Sequence, residues 1–286
     1  MRKSLLAVIA IAASAGTPAL ALAQAPAAAA PQSPHTLTGN VGLYSSYRFR
    51  GIDQTFGKPA LQGGIDYSHS SGFYVGNWNS NVNQGAGYPG GNLEMDFYGG
   101  WKGSWGDWGL DVGAIYYYYP GTDAGPTIAF SPFHNQTGNI HSGSVSNKEI
   151  YIGGSWKFLS LKYYHSIDDY FSTPGTKNSH YLDLGATYDL GGGWGINGHV
   201  GHLKFKNMIN GDYTDWKVGV TKDISGWVFG LSYIDTSAKG DCSATAVNQV
   251  YCFSNGNINI VGGVPVPAAT KDAGRGILVL SVSKTF

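Results

Sequence analysis

Charge is scarce in this sequence: Asp, Glu, Lys and Arg make up 13% of 286 residues, and the 18 basic side chains balance the 18 acidic ones. No Lys/Arg block marks a polyanion-binding face, so nucleic acid is excluded as a partner. Cysteine is nearly absent. The two present, Cys242 and Cys252, lie close together with no histidine between them, a poor zinc pattern. In an exported chain such a pair reads as a disulfide stapling a loop. The eight histidines form no H-E-x-x-H or clustered ligand set, so neither metal nor cofactor is expected. Beyond the first two dozen residues no stretch approaches the ~20 apolar residues of a membrane helix.

Met1-Arg2-Lys3 precedes an uncharged run, 4–23, that ends in Ala21-Leu22-Ala23. This is the pattern of a secretory signal peptide, residues 1–23, with cleavage expected after Ala23. Gly16 and Pro18 interrupt the run and no stop-transfer charges follow, which argues against a permanent anchor. Losing Arg2 and Lys3 leaves a mature net charge of −2. Residues 24–35 read as a flexible Ala/Pro-rich leader and 36–286 as one β domain.

What the chain has in quantity is glycine (43), tyrosine (19) and tryptophan (8), arranged in short alternating segments. The clearest is the last, where Leu278, Leu280 and Val282 alternate with Ser281, Ser283 and Thr285 before a terminal Phe286. Successive strand side chains point to opposite faces, so this is a strand with one oily and one wet face. Eleven similar segments precede it. The first spans about 39–51, with Val41, Leu43, Tyr47 and Phe49 expected outward and Arg48 and Arg50 inward. Others include 92–102, alternating Leu93, Met95 and Phe97 with Glu94, Asp96 and Tyr98, and 148–158, alternating Ile150 and Ile152 with Glu149 and Tyr151.

Connections alternate between tight turns (at 70–72, 103–106, 191–193 and 223–226, for example) and long loops such as 120–147 and 235–274. Outward aromatics fall into two groups. Tyr67, Phe73, Trp101, Trp108, Trp156, Tyr188, Trp194, Trp227 and Phe286 lie near the tight turns; Tyr47, Phe49, Phe97, Tyr116, Tyr118, Trp216 and Tyr233 lie near the other rim. An even strand number, turns on one side, loops on the other and two aromatic girdles predict a 12-stranded antiparallel transmembrane β-barrel of the bacterial outer membrane. A mean hydropathy of −0.14 fits, because only every second strand residue meets lipid. Outer-membrane lipid is then the expected surroundings, and the strand ending in Phe286 the expected contact for the barrel-assembly machinery.

The segments Asn40–Ile52 (NVGLYSSYRFRGI), Pro59–Gly76 (PALQGGIDYSHSSGFYVG), Glu94–Trp101 (EMDFYGGW) and the SVSKTF terminus resemble the TorF family of proteobacterial porins. The resemblance covers essentially the whole mature chain. It implies an outer-membrane barrel with a porin role and brings no catalytic residues.

Inward charges gather toward the loop side: Arg48, Arg50, Glu94, Asp96, Glu149, Asp183, Asp215 and Lys217, interleaved with Tyr98, Tyr117, Tyr119, Tyr151 and Tyr181. One reading is a constriction whose transverse field orients small polar solutes, with tyrosines offering hydrogen bonds. The other is a salt-bridge network that plugs the lumen, since buried charges must be paired. Twelve strands lie between the filled eight-stranded and the open sixteen-stranded barrels, and the narrow channel is the expectation taken forward. Hydrolase candidates (His165 with Asp168 and Asp169, Ser166 as nucleophile, or the Glu94/Asp96 pair) rest on spacings common by chance. The long loops, one carrying His134 and His141 and the other both cysteines, offer a third reading, receptor or adhesin.

Overall fold

The computed structural model describes residues 33–84, 91–122, 143–243, 249–255 and 257–286. The proposed signal peptide, most of the leader and both loop histidines, His134 and His141, lie outside the described residues.

Twelve strands form the wall: β1 (His35–Tyr44), β4 (Ala60–His69), β5 (Phe73–Asn81), β6 (Leu93–Trp105), β7 (Trp108–Tyr118), β8 (Ser146–Trp156), β9 (Leu159–Ser166), β10 (His180–Gly191), β11 (Trp194–Lys204), β12 (Tyr213–Ile224), β13 (Trp227–Thr236) and β18 (Ile277–Thr285). The short strands β2 (Arg48–Phe49), β3 (Ile52–Asp53), β14 (Cys252–Ser254), β15 (Ile258–Val261), β16 (Val264–Pro267) and β17 (Thr270–Asp272) belong to loops. Each wall strand pairs antiparallel with its neighbours along the chain, and β1 pairs with β18 to close the barrel. Closure leaves no sheet edge, and so no unpaired backbone facing hydrocarbon. Phe286 completes the seam by exchanging backbone hydrogen bonds with Gly39 (2.8 and 2.9 Å).

The alternation holds strand by strand. On β8, Ile150 and Ile152 are exposed to the outside at 47% and 53%, while Glu149 is completely buried. Tight turns follow β4, β6, β8, β10 and β12; Ser225 and Gly226, both at positive φ (55° and 82°), give the twist that a two-residue hairpin requires. Rings of outward aromatics flank the apolar band: the Trp108 and Trp156 rings lie 6.1 Å apart at the turn side, those of Trp216 and Tyr233 5.3 Å apart at the loop side. Lys284, outward beside the turn-side ring, places its ammonium 4.9 Å from the Trp227 ring centre.

The abundance of glycine and tyrosine has a common cause. Inward tyrosines lie flat across glycines of the neighbouring strand: Tyr98 opposite Gly76, Tyr151 opposite Gly113. A Cβ on Gly113 would stand 2.5 Å from the Tyr151 hydroxyl, so only glycine admits the ring there.

The first segment departs from expectation. β1 begins at His35, inside the stretch assigned to the leader, and ends at Tyr44 rather than running to 51. Residues 45–59 then leave the wall, and 46–55 are buried in the lumen, where β2 and β3 form a small hairpin. Tyr47 (2% exposed) and Phe49 (5%) are therefore lumen residues, not part of the outer aromatic girdle. Arg48 and Arg50 are inward, but on this hairpin and not on the wall. Arg50 itself sits at φ 47° and Gly51 at φ 80°, a reversal that a continuous strand could not accommodate.

Candidate functional site in the barrel lumen

The loop-side half of the lumen is filled. Arg50 reaches from the hairpin to Glu149 on β8 and bonds it through both guanidinium nitrogens (Nη1–Oε1 3.0 Å, Nη2–Oε2 2.7 Å), both side chains fully buried. A bidentate pair of this kind fixes orientation as well as charge. Nη1 also donates to the Tyr170 hydroxyl (3.0 Å), and the guanidinium lies over the Tyr181 ring at 4.4 Å and the Tyr164 ring at 5.0 Å. Tyr117 and Ser166 donate to the Glu149 carboxylate, and Tyr213 donates to the Arg50 carbonyl (2.9 Å). Tyr170 comes from the 3-10 turn Tyr170–Ser172 between β9 and β10. Burial pushes its hydroxyl up to about 12, against the opposing pull of the Arg50 charge.

The Ala273 carbonyl, from the loop before β18, holds the hairpin as well. Arg48 pairs with Asp53 (3.5 Å) and donates to the Ala273 carbonyl (2.9 Å), and the Asp53 amide donates to the same carbonyl. Tyr251 and Phe253, from the loop after β13, are buried on the hairpin's side of the barrel, with the Tyr251 ring 5.0 Å from Tyr213. Burial raises the Tyr251 hydroxyl as well. Cys242 and Cys252 are joined as a disulfide in this loop. Beside it lies an open surface cleft of about 760 Å³ lined by Lys239, Asp241, Lys271, Asp272 and Arg275.

The turn-side half is polar and less filled. Lys162 on β9 pairs with Asp111 on β7 (2.7 Å), across a β8 strand that offers Gly153 between them. Tyr74 donates to Asp111, Tyr74 and Tyr151 share a hydrogen bond, and Lys162 stands 3.9 Å from the Tyr151 ring centre. Tyr98 donates to Asp66. Higher on the opposite wall, His199, midway along β11, lies between Asp183 (3.1 Å) and Asp215 (3.5 Å), with Lys217 as its neighbour across the strand pair.

Of the residues singled out from sequence, Arg50, Glu149, Tyr117, Tyr181 and Asp215 meet in one buried group, Tyr181 donating to Asp215 (2.8 Å). Glu94 accepts from Tyr47 (3.2 Å), while the Asp96 carboxylate is buried with no hydrogen-bond partner among the described residues. Asp183 and Lys217 lie beside this group, three and four residues from the loop-side ends of β10 and β12, and Tyr98 and Tyr151 lie near the middle of β6 and β8. Asp111 and Lys162 were legible as inward by alternation, but their pairing across a glycine was not. Tyr170, in an aperiodic loop, carried no signal at all.

The hydrolase candidates do not assemble. Ser166 points inward and donates to Asn147 (3.1 Å), whereas His165 points outward and stacks on Tyr163 and His180. A nucleophile and base on opposite faces of one wall cannot share a proton. Asp168 pairs with Lys148 at the outer rim (2.8 Å). No group of three or more potential metal ligands occurs among the described residues.

A family model described as a bacterial protein of unknown function (Gcw_chp) matches residues 28–261. No curated protein matches the chain. Among solved structures, the chain is similar to a KdgM porin in complex with disordered oligogalacturonate (8% identity, 87% of this chain and 97% of that one, TM-score 0.47). It is also similar to a NanC porin (10%, 88% and 99%, 0.44) and to OmpT, an outer membrane protein of Vibrio cholerae (9%, 88% and 99%, 0.40). The closed barrel, its apolar band and its two girdles identify an outer-membrane protein on their own. The chain belongs to the Gcw_chp family.

Proposed function

We propose that this Gcw_chp barrel is a channel for small polar solutes that rests closed, with the 45–59 hairpin as its stopper and the Arg50–Glu149 pair as the catch. The observation that carries the reading is the contrast within the lumen: a polar, mixed-charge, tyrosine-lined lower half lies beneath a loop-side half that the hairpin and the Tyr170–Ser172 turn fill together with wall tyrosines. Opposed charges such as Lys162 and Asp111 suit passage of hydrated solutes along a transverse field. The motif resemblance to TorF-type porins points the same way. On this reading the chain is exported, cleaved after Ala23, and inserted by the barrel-assembly machinery through its Phe286-terminated strand.

Planar-bilayer recording tests it. Wild-type protein is expected to open rarely, and Glu149→Gln, which neutralises the wall side of the pair, to raise the open fraction with discrete steps. Silence from both, with the barrel folded, would overturn the channel. It would favour a sealed barrel acting through its loops, the reading supported by the 760 Å³ cleft beside the disulfide.

A further inference from the structure

The outer wall is apolar at mid-height except on one strand. On β5, the alternation that turns Tyr74, Trp78 and Ser80 inward turns Asn77, Asn79 and Asn81 outward, in line with Phe73 and Val75. At about 3.4 Å per residue, Asn77 and Asn79 lie roughly 14 and 20 Å along the strand from Phe73 in the turn-side girdle. With the ~40° tilt usual for such barrels, that places both inside the ~25 Å apolar band. The same level elsewhere carries Ile150 and Ile152 on β8, Leu182 and Leu184 on β10, and Val218 on β12.

These amides use part of their capacity locally. Asn79 donates to Asn77 (2.6 Å) and to the Gly63 carbonyl (3.5 Å), Asn77 donates to the Asp96 carbonyl (3.0 Å), and Asn81 donates to the Pro59 carbonyl while accepting from the Leu61 amide. Asn77 still has a second N–H, and Asn79 its oxygen, directed at a medium that offers nothing in return. Beside the row the wall is notched: Gly63 pairs across from Asn79, and the outward Gly99 across from Val75. A second backbone can approach closely there.

We propose that this face is where two copies of the barrel associate within the membrane. The proposal goes beyond the channel reading and does not depend on it. A second copy fits because the amide row both donates and accepts, and so is complementary to itself across a two-fold axis along the membrane normal, the commonest oligomer symmetry. Two barrels inserted by the same route share orientation, so the rows meet at equal depth.

The test is the association state in lipid nanodiscs or bilayers, with bismaleimide cross-linking of Ile65→Cys, which stands opposite Asn77 and leaves the row intact. Both native cysteines are in the disulfide, so the introduced thiol is the sole reactive one. Val200→Cys is the control: it lies on β11, six wall strands round the barrel, and six residues from Trp194 as Asn79 is from Phe73. Expected are a dimer for wild type, a cross-linked dimer for Ile65→Cys but not Val200→Cys, and a folded monomer for Asn77→Leu/Asn79→Leu, with fold read by heat-modified gel mobility. A monomeric wild type, a double variant that stays dimeric, or equal cross-linking at both cysteines would overturn the proposal. So would cross-linking of Ile65→Cys to a different protein, which would assign the face to that partner.

Discussion

The two halves of the lumen are built on the same wall and obey the same alternation, yet they hold charge in different ways. At the turn side, Asp111 and Lys162 are both wall residues, and each is steadied by a tyrosine from another wall strand, Tyr74 of β5 and Tyr151 of β8. At the loop side, Glu149 is a wall residue but its cation is imported on a hairpin. A wall–wall pair is fixed once the barrel closes. A wall–hairpin pair lasts only while the hairpin stays home. The loop-side half is thus filled jointly by wall side chains and by segments that leave the wall, the hairpin and the Tyr170–Ser172 turn among them.

The sharpest way to break the contrast is Arg50→Ala. It leaves Glu149 buried without its cation, which typically costs about 3–5 kcal/mol. The loss is expected in denaturant-induced unfolding of the barrel, with protease sensitivity appearing first at 45–59. Glu149→Gln in the Arg50→Ala background is expected to recover part of it, because the stranded charge is gone.

Alkaline pH probes the same half next. Tyr170 is held up to about 12 by burial, above its usual value near 10. Its packing contribution is intact below pH 10 and falls as pH rises from 10 to 12, by about 1.4 kcal/mol per unit. Unfolding midpoints measured across that window are expected to drop in wild type and to drop less steeply in Tyr170→Phe, where Tyr251 and the other buried tyrosines keep part of the slope. Lys162→Met tests the other half. It leaves Asp111 with only the Tyr74 bond, a loss of about 1–3 kcal/mol, and shifts any conductance toward cations, read as reversal potential in a salt gradient. The smallest effect belongs to Cys242→Ser/Cys252→Ser. The closed loop is short and lies outside the wall, so barrel unfolding is expected to be unchanged while the loop becomes cleavable under limited proteolysis.

Most of the wall was readable because lipid enforces the period: a slip of one residue would turn Ile150 and Ile152 into the lumen and Glu149 into hydrocarbon. That rule says nothing about a segment which leaves the wall. Residues 45–51 continue the alternation of β1 with Tyr47 and Phe49 against Arg48 and Arg50, so they read as strand. Inside the barrel, both sets are buried, and period 2 no longer separates oil from water. The signals that could have flagged the departure are Gly51, Gly57 and Pro59, which interrupt the run within nine residues. Pairings such as Arg50 with Glu149, 99 residues apart, depend on closure and have no local signature.

The closure described at the seam also sets how the wall can come into being. Every other joint in the wall links strands that are neighbours along the chain, so hairpins can add one by one as the polypeptide arrives. The β1–β18 joint alone links the first wall strand to the last, and its paired stretch, Asn40–Tyr44 against Ser281–Thr285, is short. The ring therefore has a final step and a built-in weak line, the place where a nascent sheet stays open longest and where a finished one would part first under lateral strain.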